Sequence, residues 1–206
     1  MQLSRYAAGI AEQLSQSEFL EAARRAFSTH GYAGATLERI AQEAGVSRVT
    51  LHRRGVTKDG LLADLVAQAT EDYRGMLWPA LTAEGSGAER LTQALEALCA
   101  ASEEHMGLLV ALRAQADGVF HEDGEEEALT RNVFTEPLER LLRDGAADGS
   151  LRATDPVEMA TVLFNLVGWT YIHLRTGHGW SPERACRATL EPTLHGLLAK
   201  APEPSR

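Results

Sequence analysis

The side chains in this sequence best placed to do chemistry are cations, and they are crowded together. Between Arg24 and Lys58 stand Arg24, Arg25, Arg39, Arg48, Arg53, Arg54 and Lys58, opposed only by Glu38 and Glu43. Guanidinium and ammonium groups at that density are the footprint of phosphate binding, because each can replace a counterion on a nucleic-acid backbone. The chain as a whole is acidic, with a formal net charge of −9. Residues 1–75 carry equal numbers of acids and bases, so the whole excess falls on residues 76–206. A basic head on an acidic body is oriented by its own field, since the body repels the phosphates that the head attracts.

Other chemistries have little to work with. No Ser/His/Asp spacing, phosphate loop or metal-ligand cluster is present, and the histidines are scattered. His173 and His178 lie five apart across an expected helix end, a poor metal geometry. No catalytic residue, metal or cofactor is therefore assigned, and an enzyme is not expected. Cys99 and Cys186 fall inside helical patterns and read as small buried thiols of a reducing compartment. The N-terminal segment lacks the apolar core of a secretory signal. The most apolar stretch, Met159 to Leu174, is too short for a bilayer and is interrupted by Asn165 and Thr170. A cytoplasmic protein with no membrane partner is expected.

The elements that must position the cations are helices. Ala, Leu, Glu and Arg dominate, and these residues lose little rotamer freedom in a helix. A first helix starting near Ser15 or Ser17 would align Phe19, Leu20, Ala23 and Phe27 on one face, with Gly31 in a left-handed position after it. Thr36 caps a short helix whose Leu37, Ile40, Ala41 and Ala44 point inward, and Arg39 at its third position leaves the cap one-sided. Gly45-Val46-Ser47 is a tight turn, and Ser47 caps the next helix, Arg48 to Arg54, which Gly55 ends. Thr57 then caps a longer helix, Lys58 to Trp78. Two short helices joined by Ala-Gly-Val-Ser and packed on an apolar first helix make a helix-turn-helix unit. The second helix of such a unit enters the major groove with its N-terminal residues at base edges, while its surroundings grip phosphates.

From Phe19 to Leu62 the sequence FLEAARRAFSTHGYAGATLERIAQEAGVSRVTLHRRGVTKDGLL resembles the TetR family. The resemblance implies a homodimer with two heads on a pseudo-palindromic operator in double-stranded DNA, released or reoriented when a small molecule enters the C-terminal domain. It places Arg48, Val49 and Thr50 at the start of the recognition helix, where bases are read. There Arg48 could take guanine O6 and N7, and Thr50 a thymine methyl or a phosphate. Ser47 stands beside them. Thr36 and Lys58 fall where the family holds phosphates. Where the family has an aromatic pair and a Phe, this chain has His52, Arg53 and Gly55, exchanging aromatics for the cations Arg53 and Arg54. Those two are read as DNA contacts over a solvated helix end, where cations are also favoured. For Arg24 and Arg25 a polar helix face is the better reading. His52 is open between phosphate contact and packing.

Beyond the linker-like Ala83–Gly87 the periodicity predicts five further helices, broken by the acidic loop Glu122–Glu127, with a kink at Pro137 and a kink or break at Pro192. Candidates for lining a small-molecule pocket are Trp78, His105, Arg113, Phe120, Phe134, Asn165 and Trp169, with His105, Arg113 and Asn165 as polar anchors. Simple core packing is the competing reading for each aromatic. The last two helices carry more apolar surface than one side needs, and family resemblance makes them the dimer interface. Phe164, Val167, Tyr171, Leu190 and Leu194 are its candidates. The expected architecture is all-α, of about nine helices, with residues 1–60 as a helix-turn-helix DNA-binding domain and 61–206 as a ligand-sensing and dimerisation domain. The function expected is a sequence-specific transcriptional regulator, a repressor relieved by an unidentified inducer. The rivals are a regulator that answers to no ligand and a dimeric helical interaction module.

Overall fold

The computed structural model describes residues 15–113 and 134–195, and every regular element among them is helical. In chain order these are α1 Gln16–Gly34, α2 Leu37–Glu43, α3 Arg48–Arg53, α4 Lys58–Thr82, α5 Gly87–Glu104, α6 Met106–Arg113, α7 Glu136–Ala147, α8 Pro156–Thr176 and α9 Pro182–His195. The expected all-α architecture is what forms. The acidic loop, Phe120 and the chain beyond His195 lie outside the described residues, and so does the side chain of Arg113.

Most of the boundaries follow local chemistry. Ser15 and Glu18 form a reciprocal capping box at the start of α1. Thr36 accepts from the Arg39 amide, Ser47 from the Thr50 amide, and Thr57 from the Gly60 amide, so α2, α3 and α4 each begin on a hydroxyl. Gly31 takes φ +63°, but helical geometry resumes after it and carries α1 on to Gly34.

Two prolines were expected to disturb helices. Pro137 stands in the first turn of α7, directly after the π-helical residues Phe134 and Thr135, and the chain before Phe134 lies outside the described residues. Pro192 does not break α9, which continues through it to His195, and Pro79 lies likewise inside α4.

The chain divides into two compact units. The first takes in residues 1–75 and 104–129. Its core joins Phe19, Ala22, Ala23, Ala26 and Phe27 of α1 to Ile40 and Ala41 of α2, Leu51 of α3, Leu61 and Leu65 of α4, and Leu108, Ala111 and Leu112 of α6. The second takes in residues 76–103 and 130–206. There Leu91, Leu95 and Leu98 of α5, Leu138 and Leu141 of α7, Leu163, Val167 and Tyr171 of α8, and Leu190 of α9 are buried. Helix α5 approaches α7 so closely that a Cβ on Gly87 would fall on the backbone of Gly145. Glu103 receives Arg175 through two bonds, Nη2 to Oε1 at 2.6 Å and Nε to Oε2 at 2.7 Å, and also the Tyr171 hydroxyl at 2.8 Å.

Candidate nucleic-acid interface

The interface is built on three helices that share one small core. Ile40, Ala41 and Leu51 are buried at 0–2 % exposure against Phe19 and Phe27, which sets α2 and α3 at a fixed angle. Gly45 takes φ +69°, a conformation that a side chain would strain. This turn lets the Val46 amide donate to Ala41 O at 2.9 Å and presses the Val46 side chain against the core. Ser47 follows in extended geometry, its Oγ accepting the Thr50 amide at 3.2 Å and lying 3.0 Å from the Thr50 hydroxyl. The buried Leu51 faces inward, so the opposite face of α3 must face out.

That outward face carries most of the residues expected to meet DNA. Arg48, Val49, His52, Arg53 and Arg54 are exposed, with Ser47 beside them and Thr50 half-buried. Val49 is 66 % exposed, an unusual setting for a β-branched apolar side chain that could have packed inward. Arg48 is engaged already, its Nη1 2.6 Å from Glu38 Oε1. Arg54 places its guanidinium 5.3 Å from the centre of the Phe19 ring. Thr36 lies exposed at the start of α2, and Lys58 holds its ammonium 3.9 Å above the Tyr32 ring at the start of α4. The Tyr32 hydroxyl donates to Asp59, and that hydrogen bond is the main reason its pKa is pushed up to about 12.

Sequence reasoning missed Tyr32 and Glu38. Tyr32 holds the Lys58 ammonium over its ring from another helix, and its one signal was an aromatic directly after Gly31. Glu38 pairs with Arg48, and its signal was that it is one of only two acids, both on α2, in a basic stretch. Arg25 reads as foreseen, tied to Glu43 across α1 and α2 at 3.1 Å.

A family model described as bacterial regulatory proteins of the tetR family matches residues 19–65. A second, described as the tetracyclin repressor-like C-terminal domain, matches residues 84–197, which is more than half of the chain. This chain belongs to the TetR family. It is therefore a DNA-binding transcriptional regulator. Among its relatives is the HTH-type transcriptional repressor AcnR of Corynebacterium glutamicum, 28% identical over 157 residues that cover 74% of this chain and 77% of that one. The solved TetR-family regulator PfmR of Thermus thermophilus superposes with a TM-score of 0.71 at 23% identity, covering 88% of this chain and 99% of that one. The structure of AibR in complex with isovaleryl coenzyme A and operator DNA gives 0.65 at 17% identity, with coverage of 84% and 94%.

The residues expected to line a TetR-type sensor pocket fare unevenly. Phe134 and Phe164 pack with ring centres 5.2 Å apart, and Trp169 is half-buried on the same helix as Phe164. Trp78, a candidate for the pocket lining, is 64 % exposed. Asn165 is exposed too and donates its amide to Thr161 O at 2.9 Å, so it is no buried group in need of an anchor. His105 is buried at 3 % exposure, but its neighbours are Asp72 and Arg24. Burial first, and then the Arg24 charge, hold its imidazole pKa below the usual value.

The expected dimer residues also need correction. Val167, Tyr171 and Leu190 are 0, 1 and 6 % exposed within the protomer, so they have almost no surface left to offer a partner. Phe164 and Leu194 are half-buried. The large apolar side chains that α8 leaves exposed are Val157 at its start, at 39 %, and then Val162 at 51 % and Leu166 at 45 %. Among the described residues no helix is long and apolar enough to cross a membrane.

Proposed function

We propose that this TetR-family protein is a cytoplasmic, homodimeric, non-catalytic repressor that reads a pseudo-palindromic operator and leaves it when a small molecule binds. In this reading residues 1–60 bind DNA, and residues 61–206 sense the ligand and dimerise. The observation that carries it is the outward face of α3. Val49 stands exposed between Arg48 and Thr50 on a helix pinned from behind by Leu51 and capped by Ser47. An apolar side chain beside a guanidinium is what a thymine methyl next to a guanine would meet in the major groove. Thr36, Lys58, His52, Arg53 and Arg54 surround that face and would take phosphates.

Repression is supported by the name of the AcnR relative, and ligand response by the AibR complex, which holds both a ligand and operator DNA. Phe134 and Trp169 are the favoured small-molecule contacts. Dimerisation would use α8 and α9, with Val162 and Leu166 supplying surface beside Phe164 and Leu194. Fluorescence-anisotropy titration against the DNA flanking the protein's own gene, with random DNA as control and across a salt series, tests the reading. The expected result is excess affinity for one site that survives at physiological salt. Equal, weak binding to that site and to every member of a random-sequence pool would overturn it.

A further inference from the structure

We propose that Asp72, Glu104 and His105 form a site for one divalent transition-metal ion of the zinc, cobalt or nickel kind. Asp72 lies on α4, Glu104 is the last residue of α5, and His105 occupies the break before α6. Two consecutive residues of a continuous helix would diverge, and the break is what lets both side chains turn toward Asp72. One ligating atom from each of the three falls within 4.8 Å of the others. His105 Nε2 sits 3.2 Å from Asp72 Oδ2, yet it is fully buried and makes no hydrogen bond. A buried polar atom whose nearest acceptor is not aligned for a hydrogen bond is costly, and a cation held between it and the carboxylates would satisfy both.

The donor set decides the kind of ion. One imidazole nitrogen with two carboxylate oxygens suits borderline first-row metals better than calcium or magnesium, which prefer oxygen alone. The two carboxylates balance a double positive charge. Glu104 is exposed and Asp72 half-buried, which leaves an entry path and room for water to complete the coordination shell. Metal–ligand bonds of about 2.0–2.2 Å require the donors to draw somewhat closer than their present spread, a rotamer adjustment for exposed Glu104.

Arg24 couples the site to α1. Its Nη1 lies 3.3 Å from His105 Nδ1. Arginine can only donate, so that contact makes Nδ1 the acceptor and leaves the ring proton on Nε2. A metal on Nε2 displaces that proton, and a proton taken up at Nδ1 then faces the Arg24 N–H. Arg24 must turn away, and it has partners to turn to in Glu21 at 3.3 Å and Gln68 at 3.1 Å. Metal occupancy would therefore shift a side chain of the helix on which α2 and α3 are packed.

The test is titration of the chelator-treated, full-length protein with Co²⁺, followed by its d–d absorption, and with Zn²⁺ by calorimetry. The expected result is one ion per chain with micromolar affinity. Loss of a mere outer-shell partner weakens metal binding by about 10–100-fold, so Asp72→Asn and Glu104→Gln should each cost more than about tenfold. Glu104→Gln alters an exposed side chain, and an unchanged circular-dichroism melt will establish that it folds. The control is a His173→Asn/His178→Asn variant of the adjacent exposed imidazoles, which should bind as the parent does. Absence of micromolar binding, undiminished binding in Glu104→Gln, or loss of binding in the His173/His178 variant would each overturn the proposal.

Discussion

Arg48 is held ready rather than free. Its ion pair with Glu38 joins two side chains that are 66 % and 56 % exposed, and such a pair contributes at most about 1 kcal/mol. A bidentate guanine contact is worth about 1–3 kcal/mol of discrimination, so DNA should take Arg48 from Glu38. We expect Arg48→Ala to cost about 1–3 kcal/mol on the operator and to relax preference at one base pair, as read by anisotropy on a panel of single-base variants. A uniform loss across the panel would place Arg48 on a phosphate instead. Lys58 differs, because its ammonium is a point charge steadied over Tyr32. Lys58→Ala should weaken all sequences alike and reduce the slope of log affinity against log salt by about one. The caps Thr36 and Ser47 were legible in sequence because a cap is a local event spanning three residues. The Glu38–Arg48 pair was not, since it joins two helices whose angle depends on buried Ile40, Ala41 and Leu51.

At the level of elements, the second unit depends on one close approach and one cap. Helices α5 and α7 touch backbone to backbone at Gly87 and Gly145. Gly87→Ala must push them apart, and overpacking of this kind costs about 1–3 kcal/mol, measurable as a lowered urea midpoint. Asp148 follows α7 in sequence, yet its Oδ2 accepts the Gly87 amide at 2.6 Å and its Oδ1 the Ser150 amide at 2.8 Å. Hydrogen bonding from Ser150, and then from Gly87, holds its carboxyl below the usual range. A carboxyl depressed in the folded state stabilises fully above its unfolded pKa of about 3.9, and that contribution is lost as pH falls through the lower folded value. The melting temperature of the parent should therefore fall more steeply below about pH 4 than that of Asp148→Asn. Helix boundaries were read well wherever a hydroxyl marked a start, as at Thr36, Ser47 and Thr57.

For the whole molecule, the exposed apolar side chains in the middle of α8 set the expectation. Val162 and Leu166 are one turn apart and both exposed, so the surface they present is free for a second copy. Leu166→Glu should turn the dimer into a monomer by light scattering while leaving the protomer's melt nearly unchanged. A variant that stays dimeric would move the interface elsewhere. Binding to the two-half-site operator should fall with the dimer, because each head alone makes half the contacts.

The sequence by itself determined the helical class, the positions of the caps and turns, the helix-turn-helix unit and the family. Each of those depends on residues within one or two turns of each other, or on a hydrophobic period that any helix of that composition must bury. Only the tertiary structure decided how apolar side chains divide between core and surface. Val167, Tyr171 and Leu190 looked like interface and proved to be core, while Val162 and Leu166 on the same helix as the first two face out. It also decided which charges meet. Arg48 with Glu38, and His105 with Asp72 and Arg24, come from separate helices, and only close packing of those helices sets the distances between them.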